Sequence, residues 1–266
     1  GGGSTSAGTA ATSAGSCAFA NGEAALALGY CARTGNGEQP ANYATAVGGY
    51  AQAYQDNSTA LGARSQAVGA GSVAVGYGAN AQSDGSVAIG QGATARSSVA
   101  VGVQSLAGGL NTTAVGDRTQ ATGDYSVAIG NQAKATAGNS VAIGNNSVAD
   151  QPNTVSVGAQ GAERRVTNVA PGIAPTDAVN VSQLQESQRQ AFAGVAMAVA
   201  LASSKGPALG PGEKSLGAGV GYYGGNTAMA ITFQGMDRTG TFGYNIGVAS
   251  NTREWTVGAG VSIRWK

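Results

Sequence analysis

A chain of 266 residues with 45 glycines, 10% charged residues and no histidine departs from the make-up of an ordinary globular domain, about 7% Gly and 25% charge. Without histidine, clustered acidic pairs or ligands at metal spacing, it is not read as an enzyme and no cofactor is expected. Net charge is +1, with 5 basic and 7 acidic residues over 1–158 and 9 basic and 6 acidic over 159–266; no basic patch interleaved with aromatics points to nucleic acid.

The opening Gly1-Gly2-Gly3-Ser4 reads as flexible. It has neither a charged n-region nor an apolar h-region, so any signal peptide is expected to be already removed or outside this sequence. A repeat then dominates. Ser126-Val127-Ala128-Ile129-Gly130 returns as Ser140-Val141-Ala142-Ile143-Gly144, and closing glycines recur at Gly48, Gly62, Gly76, Gly90, Gly102, Gly116, Gly130, Gly144 and Gly158. All intervals are 14 residues except one of 12, and a looser copy ends at Gly29. A fixed short period means one structural unit stacked on itself. Alternation puts Val127 and Ile129 on one face and Ser126 and Ala128 on the other. Each unit therefore reads as two short strands joined by Gly-assisted turns, one coil of a parallel β-solenoid whose apolar faces stack into a core. At about 4.8 Å per coil, roughly ten coils would make a rod on the order of 50 Å long.

Alanine occupies the position two before nearly every closing glycine. Its constancy suggests close approach by another chain, which makes Ala60, Ala74, Ala88, Ala128 and Ala142 candidate trimer contacts; the alternative is that Ala merely fits a crowded strand. Cys17 and Cys31 stand 14 residues apart, one coil, so equivalent sites would lie within disulfide reach. A bond between them implies an oxidising compartment; two unpaired surface thiols are the alternative. The Gly35–Pro40 stretch is expected to loop out. Four tyrosines, Tyr30, Tyr43, Tyr50 and Tyr54, gather near this end and are candidate ligand contacts, with turn packing as the competing reading.

After Gly158 the repeat stops. Arg164-Arg165-Val166-Thr167-Asn168-Val169 leads through Pro171 and Pro175 to Asp177-Ala178-Val179-Asn180-Val181. Thr176 or Asp177 can cap a helix running to about Ser203, with Val181 and Leu184 on its apolar side. Its second half, Ala191 to Ala202, is apolar all round and rises about 18 Å, too short for a lipid-facing span, so something must enclose it. The last residues supply four alternating segments. Their apolar faces are Leu216, Ala218, Val220 and Tyr222; Thr227, Met229, Ile231 and Phe233; Phe242, Tyr244, Ile246 and Val248; and the Trp255 to Trp265 series. Such strands mark an outer-membrane barrel, yet four cannot close one and open edges cannot stay in lipid. Three chains would give twelve strands. Gly217, Gly219, Gly221, Gly258 and Gly260 would then leave lumen space for three helices carrying Val195, Ala198 and Leu201.

The Ser-Val-Ala-Ile-Gly coils, the neck and the helix with four strands together resemble the YadA-like trimeric autotransporter adhesins over essentially the whole chain. The resemblance implies a mainly β protein: a left-handed parallel β-roll head (1–158), a neck (159–183) with Arg164, Arg165, Asn168, Asp177 and Asn180, a short coiled-coil or pore helix (184–204), and a four-stranded share (205–266) of a trimeric 12-stranded barrel. It implies a homotrimer in the Gram-negative outer membrane with the head at the cell surface. Its partners would be membrane lipid, the barrel assembly machinery, and a host cell surface or a matrix protein such as collagen, with self-association a related outcome. Two departures stand out: almost no stalk precedes the pore helix, and Lys266 follows Trp265 where family chains end on an aromatic residue. Left-handed β-helix acyltransferases use a six-residue repeat and a catalytic histidine, and ice-binding solenoids need a flat Thr ladder; neither pattern is present. A mainly structural solenoid without a dedicated host ligand is the remaining alternative.

Overall fold

The structure, a computed structural model, describes residues 3–265; the opening Gly1 and Gly2 and the final Lys266 fall outside them. The chain separates into two compact units, 1–165 and 166–266, each described by itself.

The first unit is a solenoid of two parallel sheets with eleven strands each. Each coil but the last gives one sheet a three-residue strand such as Val127–Ile129 and the other a two-residue strand such as Lys134–Ala135; the last contributes the two-residue Val155–Ser156 to the first sheet. Coils begin earlier than expected, at Thr5–Ser6 and Thr12–Ala14. Pairing is in register throughout: Ala74 lies beside Ala88 in one sheet and Ala81 beside Ala95 in the other. The 12-residue coil keeps that register, Val87 opposite Val99, and drops its two residues at a turn. There Ser97 Oγ donates to the Gly109 carbonyl at 2.6 Å and accepts from Asn111 N at 3.0 Å, tying the shortened corner to the next coil.

Two residues after the closing glycine the chain enters the left-handed region, at Tyr50, Arg64, Gln104, Arg118 and Gln132 with φ between +54° and +60°. Non-glycine residues adopt this conformation at a cost, and here each corner is held by the coil before it: the Tyr50 and Arg64 amides each donate at 2.8 Å, to the Tyr30 and Gly49 carbonyls. The closing glycines cannot be replaced freely. A methyl on Gly76 (φ +126°) would stand 2.7 Å from the Gly90 backbone.

The solenoid interior is built from small side chains. Alanine ladders from both sheets are fully buried, and among the described residues the largest fully buried side chains are threonine and serine. Many buried hydroxyls are satisfied by their own corners, as Ser65 Oγ donates to the Gly62 carbonyl and Ser72 Oγ to the Gly69 carbonyl, both at 2.7 Å, while others bond elsewhere, as Thr119 Oγ1 donates to the Gly130 carbonyl of the next coil at 2.8 Å. This reverses the expected orientation. Ala60, Ala74, Ala88, Ala128 and Ala142 lie at 0% exposure inside their own chain and cannot be contacts between chains; they fit a crowded strand. The valine, leucine and isoleucine positions that flank them point outward, because two sheets this close leave no room for a larger side chain.

In the second unit the helix spans Val181–Ser203, starting later than expected. Asn180 is the cap: its side chain accepts from Gln183 N at 3.1 Å while Gln183 Oε1 accepts from Asn180 N, a reciprocal capping box. Asp177 closes a separate turn, accepting from the Ile173 and Ala174 amides at 2.9 Å each. Val181 and Leu184, read as its apolar side, are exposed in the single chain. The four strands Lys214–Tyr223, Asn226–Met236, Phe242–Ser250 and Trp255–Ile263 pair antiparallel in chain order. No helix among the described residues is long and apolar enough to cross a membrane, which says nothing of strands.

Candidate functional site

One face of the four-stranded sheet carries exposed Leu216, Val220, Met229, Ile231, Ile246, Val248, Trp255, Val257, Val261 and Ile263, the apolar side read from alternation. The other face receives the helix. Three glycines of the first strand make the fit: an added methyl would stand 1.9 Å from the Ser204 carbonyl oxygen at Gly217, 2.5 Å from that of Ala200 at Gly219, and 2.1 Å from that of Ala196 at Gly221. Two residues of strand advance about 6.8 Å and four residues of helix about 6 Å. The glycine row therefore meets one helix row turn after turn. Gly258 and Gly260 have more space: their nearest contacts are the Leu201 side chain at 3.7 Å and the Asn245 side chain at 3.0 Å.

The helix seats Ala196, Met197 and Ala200 against the sheet, with Leu201 packed at the margin; Ala193 is buried as well. Of the residues proposed for the lumen helix, only Leu201 touches this cluster; Val195 and Ala198 lie on the opposite, exposed side together with Val199. Beyond the helix end, buried Ser204 hydrogen-bonds Thr232 through their hydroxyls and donates to the Leu201 carbonyl at 2.9 Å. The sheet does not close: Lys214–Tyr223 and Trp255–Ile263 are each paired on one side only.

On the solenoid, the outward positions of the longer strands form an apolar ladder that includes Leu61, Ile89, Ile129 and Ile143, the last 44% exposed. A second feature runs along the corner after these strands. Tyr30 and Tyr50 meet edge to face with ring centroids 5.2 Å apart, and Arg64 follows, its guanidinium donating to the Tyr77 hydroxyl at 3.0 Å and lying 5.9 Å from that ring's centroid. The hydrogen bond with Tyr30 raises the Tyr50 phenol above its ordinary 10.0. Tyr43 and Tyr54 are placed elsewhere. The Tyr43 hydroxyl donates to Glu23 at 3.1 Å, and that carboxylate raises its pKa; the Tyr54 hydroxyl donates to Gln52. The sequence grouping of four tyrosines thus becomes a ridge of Tyr30, Tyr50, Arg64 and Tyr77, each one or two residues after a closing glycine, a shared position that would have found it.

Cys17 and Cys31 are joined as a disulfide with Cα atoms 4.6 Å apart, both at the left-handed corner position. Arg164 folds back on the last coils, donating to Ser147 Oγ at 2.8 Å, to the Val157 carbonyl at 2.7 Å and to the Asn145 carbonyl. Arg165 is exposed, and Asn168 takes a left-handed conformation at φ +61°.

Models of three families match the chain. The YadA head domain repeat matches 41–65 and, in overlapping copies, 67–160. The coiled stalk of trimeric autotransporter adhesins matches 165–204, and the YadA-like membrane anchor domain matches 207–265. The chain belongs to the YadA-like trimeric autotransporter adhesins. Head, stalk and anchor matches in this order describe an adhesin and not an enzyme. The stalk match takes in residues that the sequence divided into neck and pore helix. Among solved structures, the adhesin is similar to the collagen-binding domain of the Yersinia adhesin YadA. That likeness has 28% identity, 70% of this chain and 86% of that chain covered, and a TM-score of 0.37.

Proposed function

We infer that three copies of this adhesin share one twelve-stranded barrel in the outer membrane and display three joined heads that hold the cell to a host matrix, a host surface or another cell. The observation that carries it is the unclosed four-stranded sheet, apolar outside and fitted by glycine to a helix inside. Its two open edges need partners in lipid, and two further copies supply them while bringing three helices together through Val195, Ala198 and Val199. In the head, the outward Leu61, Ile89, Ile129 and Ile143 ladder takes the inter-chain role first assigned to the alanines. Exposed apolar surface of this regularity marks an interaction face.

Ligand contact is assigned to the ridge of Tyr30, Tyr50, Arg64 and Tyr77. Tyrosine and arginine are the residue types enriched at binding hot spots, and three copies of one ridge bind with avidity beyond any single contact. Matrix proteins such as collagen are the ligand class that family membership favours. Cells displaying the wild-type chain should adhere to an immobilised matrix panel, and a Tyr30→Ala, Tyr50→Ala, Arg64→Ala, Tyr77→Ala variant, displayed equally, should lose most of that adhesion. Equal adhesion by the variant would remove the ridge from the account. No adhesion by the wild type to matrix, host cells or its own kind would favour the mainly structural reading.

A further inference from the structure

We propose that Arg189 and Glu254 form a latch that fastens the first half of the helix to the rim of the barrel and so keeps the lumen occupied once the head is outside. The inference rests on the shared-barrel reading above. Arg189 lies two helical turns into Val181–Ser203. Its guanidinium grips Glu186 bidentately, Nε to Oε2 at 2.9 Å and Nη2 to Oε1 at 2.8 Å, and the same Nη2 reaches Glu254 Oε1 at 3.1 Å. Glu186 belongs to the helix; Glu254 belongs to the turn between the third and fourth strands. The second contact is the one that crosses from helix to sheet.

The turn is built to present that carboxylate. Asn251 Oδ1 accepts from the amides of Arg253 at 2.9 Å and Glu254 at 2.6 Å, and Ser250 Oγ donates to the Glu254 carbonyl at 2.9 Å. Glu254 therefore starts from a fixed backbone, which lowers the entropy lost in holding the pair. One turn further along the helix, Phe192 meets Tyr223 edge to face with centroids 5.3 Å apart, and a methyl on Gly224 would stand 2.5 Å from the Phe192 ring. In an antiparallel sheet the first and third turns lie at the same end. The aromatic contact and the ion pair thus grip the helix at one rim, whereas the Gly217–Gly221 row carries it through the interior.

The test is amide hydrogen exchange over 181–192 in the full-length detergent-extracted protein, with Glu254→Gln, Arg189→Gln, the double variant and Glu186→Gln. The latch predicts about two- to fivefold faster exchange for Glu254→Gln and for Arg189→Gln, the size a partly exposed ion pair supports. The double variant should be no faster than either single, and Glu186→Gln should stay near wild type because Arg189 keeps its bond across to the sheet. Wild-type exchange in Glu254→Gln, additive singles, or an equal effect of Glu186→Gln would each overturn it. Running SDS-resistant trimer alongside separates the two levels. A monomeric wild type overturns the barrel reading and the latch with it; a trimer indifferent to Glu254 overturns the latch alone.

Discussion

Gly221 of the first anchor strand lies so close to Ala196 of the helix that a single methyl would stand 2.1 Å from the Ala196 carbonyl oxygen. That distance is far inside van der Waals contact, and the obstacle is helix backbone, which cannot rotate away. Gly221→Ala should therefore displace the helix at a cost of about 1–3 kcal/mol. It should show as loss of SDS-resistant assembly and of protease protection over 193–204. Gly258→Ala, with its nearest neighbour a leucine methyl at 3.7 Å, should assemble as wild type. If both behave alike, the glycine row has no special part in seating the helix.

Neighbouring residues of one strand should give opposite phenotypes in the head. Ala128→Leu overfills an interior where nothing larger than threonine is fully enclosed, and should lower head stability by about 1–3 kcal/mol. Ile129→Asn with Ile143→Asn alters outward positions, so each solenoid should stay folded while cross-linking between heads falls. Circular dichroism melts and cross-linking of the full chain read the two effects separately. Ile129→Asn unfolding the coil, with Ala128→Leu leaving it intact, would contradict the orientation seen here.

Much of this architecture was legible in the sequence. The 14-residue period gave the coil, and alternation over Trp255–Ile263 gave the outward face of the anchor. Alternation sorts Val127 and Ile129 from Ala128 without saying which face is inside. That depends on the gap between two sheets, a property of the whole cross-section, and the narrow gap favours alanine. The helix start was missed for a local reason. Asn180 and Gln183 spell a capping box, but the Asp177 carboxylate three residues earlier is an equally good cap by type and is already engaged by Ile173 and Ala174. The corner residues Tyr50, Arg64 and Gln104 gave no warning of positive φ, since that conformation is imposed by bonds to the preceding coil.

Arg164 ends the solenoid by bonding Ser147, Val157 and Asn145. Arg164→Ala should free carbonyls at the last coil and cost about 1 kcal/mol, seen as faster amide exchange over 145–158. Arg165→Ala, at an exposed position, should change stability by less than about 0.5 kcal/mol. Equal effects of the two would mean that the neck does not cap the head through Arg164.

The neck turn should loosen in acid. The Ala174 and Ile173 amides lower the Asp177 pKa below its ordinary 3.8. Because the folded value is the depressed one, the turn is fully held above pH 3.8 and released as pH falls through that lower value. Exchange of the Ile173 and Ala174 amides, corrected for the intrinsic rate, should accelerate over that window in the wild type. Asp177→Asn should show no such step; a step that survives the substitution would assign the titration to another group.

The central claim is that four strands per chain are completed by two further copies, and electrophoretic mass tests it most directly. Detergent-extracted protein, left unheated in SDS, should run at three times 25.7 kDa and collapse to one chain on boiling. A single-chain mass under mild detergent before heating would contradict the shared barrel, and with it the display of three joined heads.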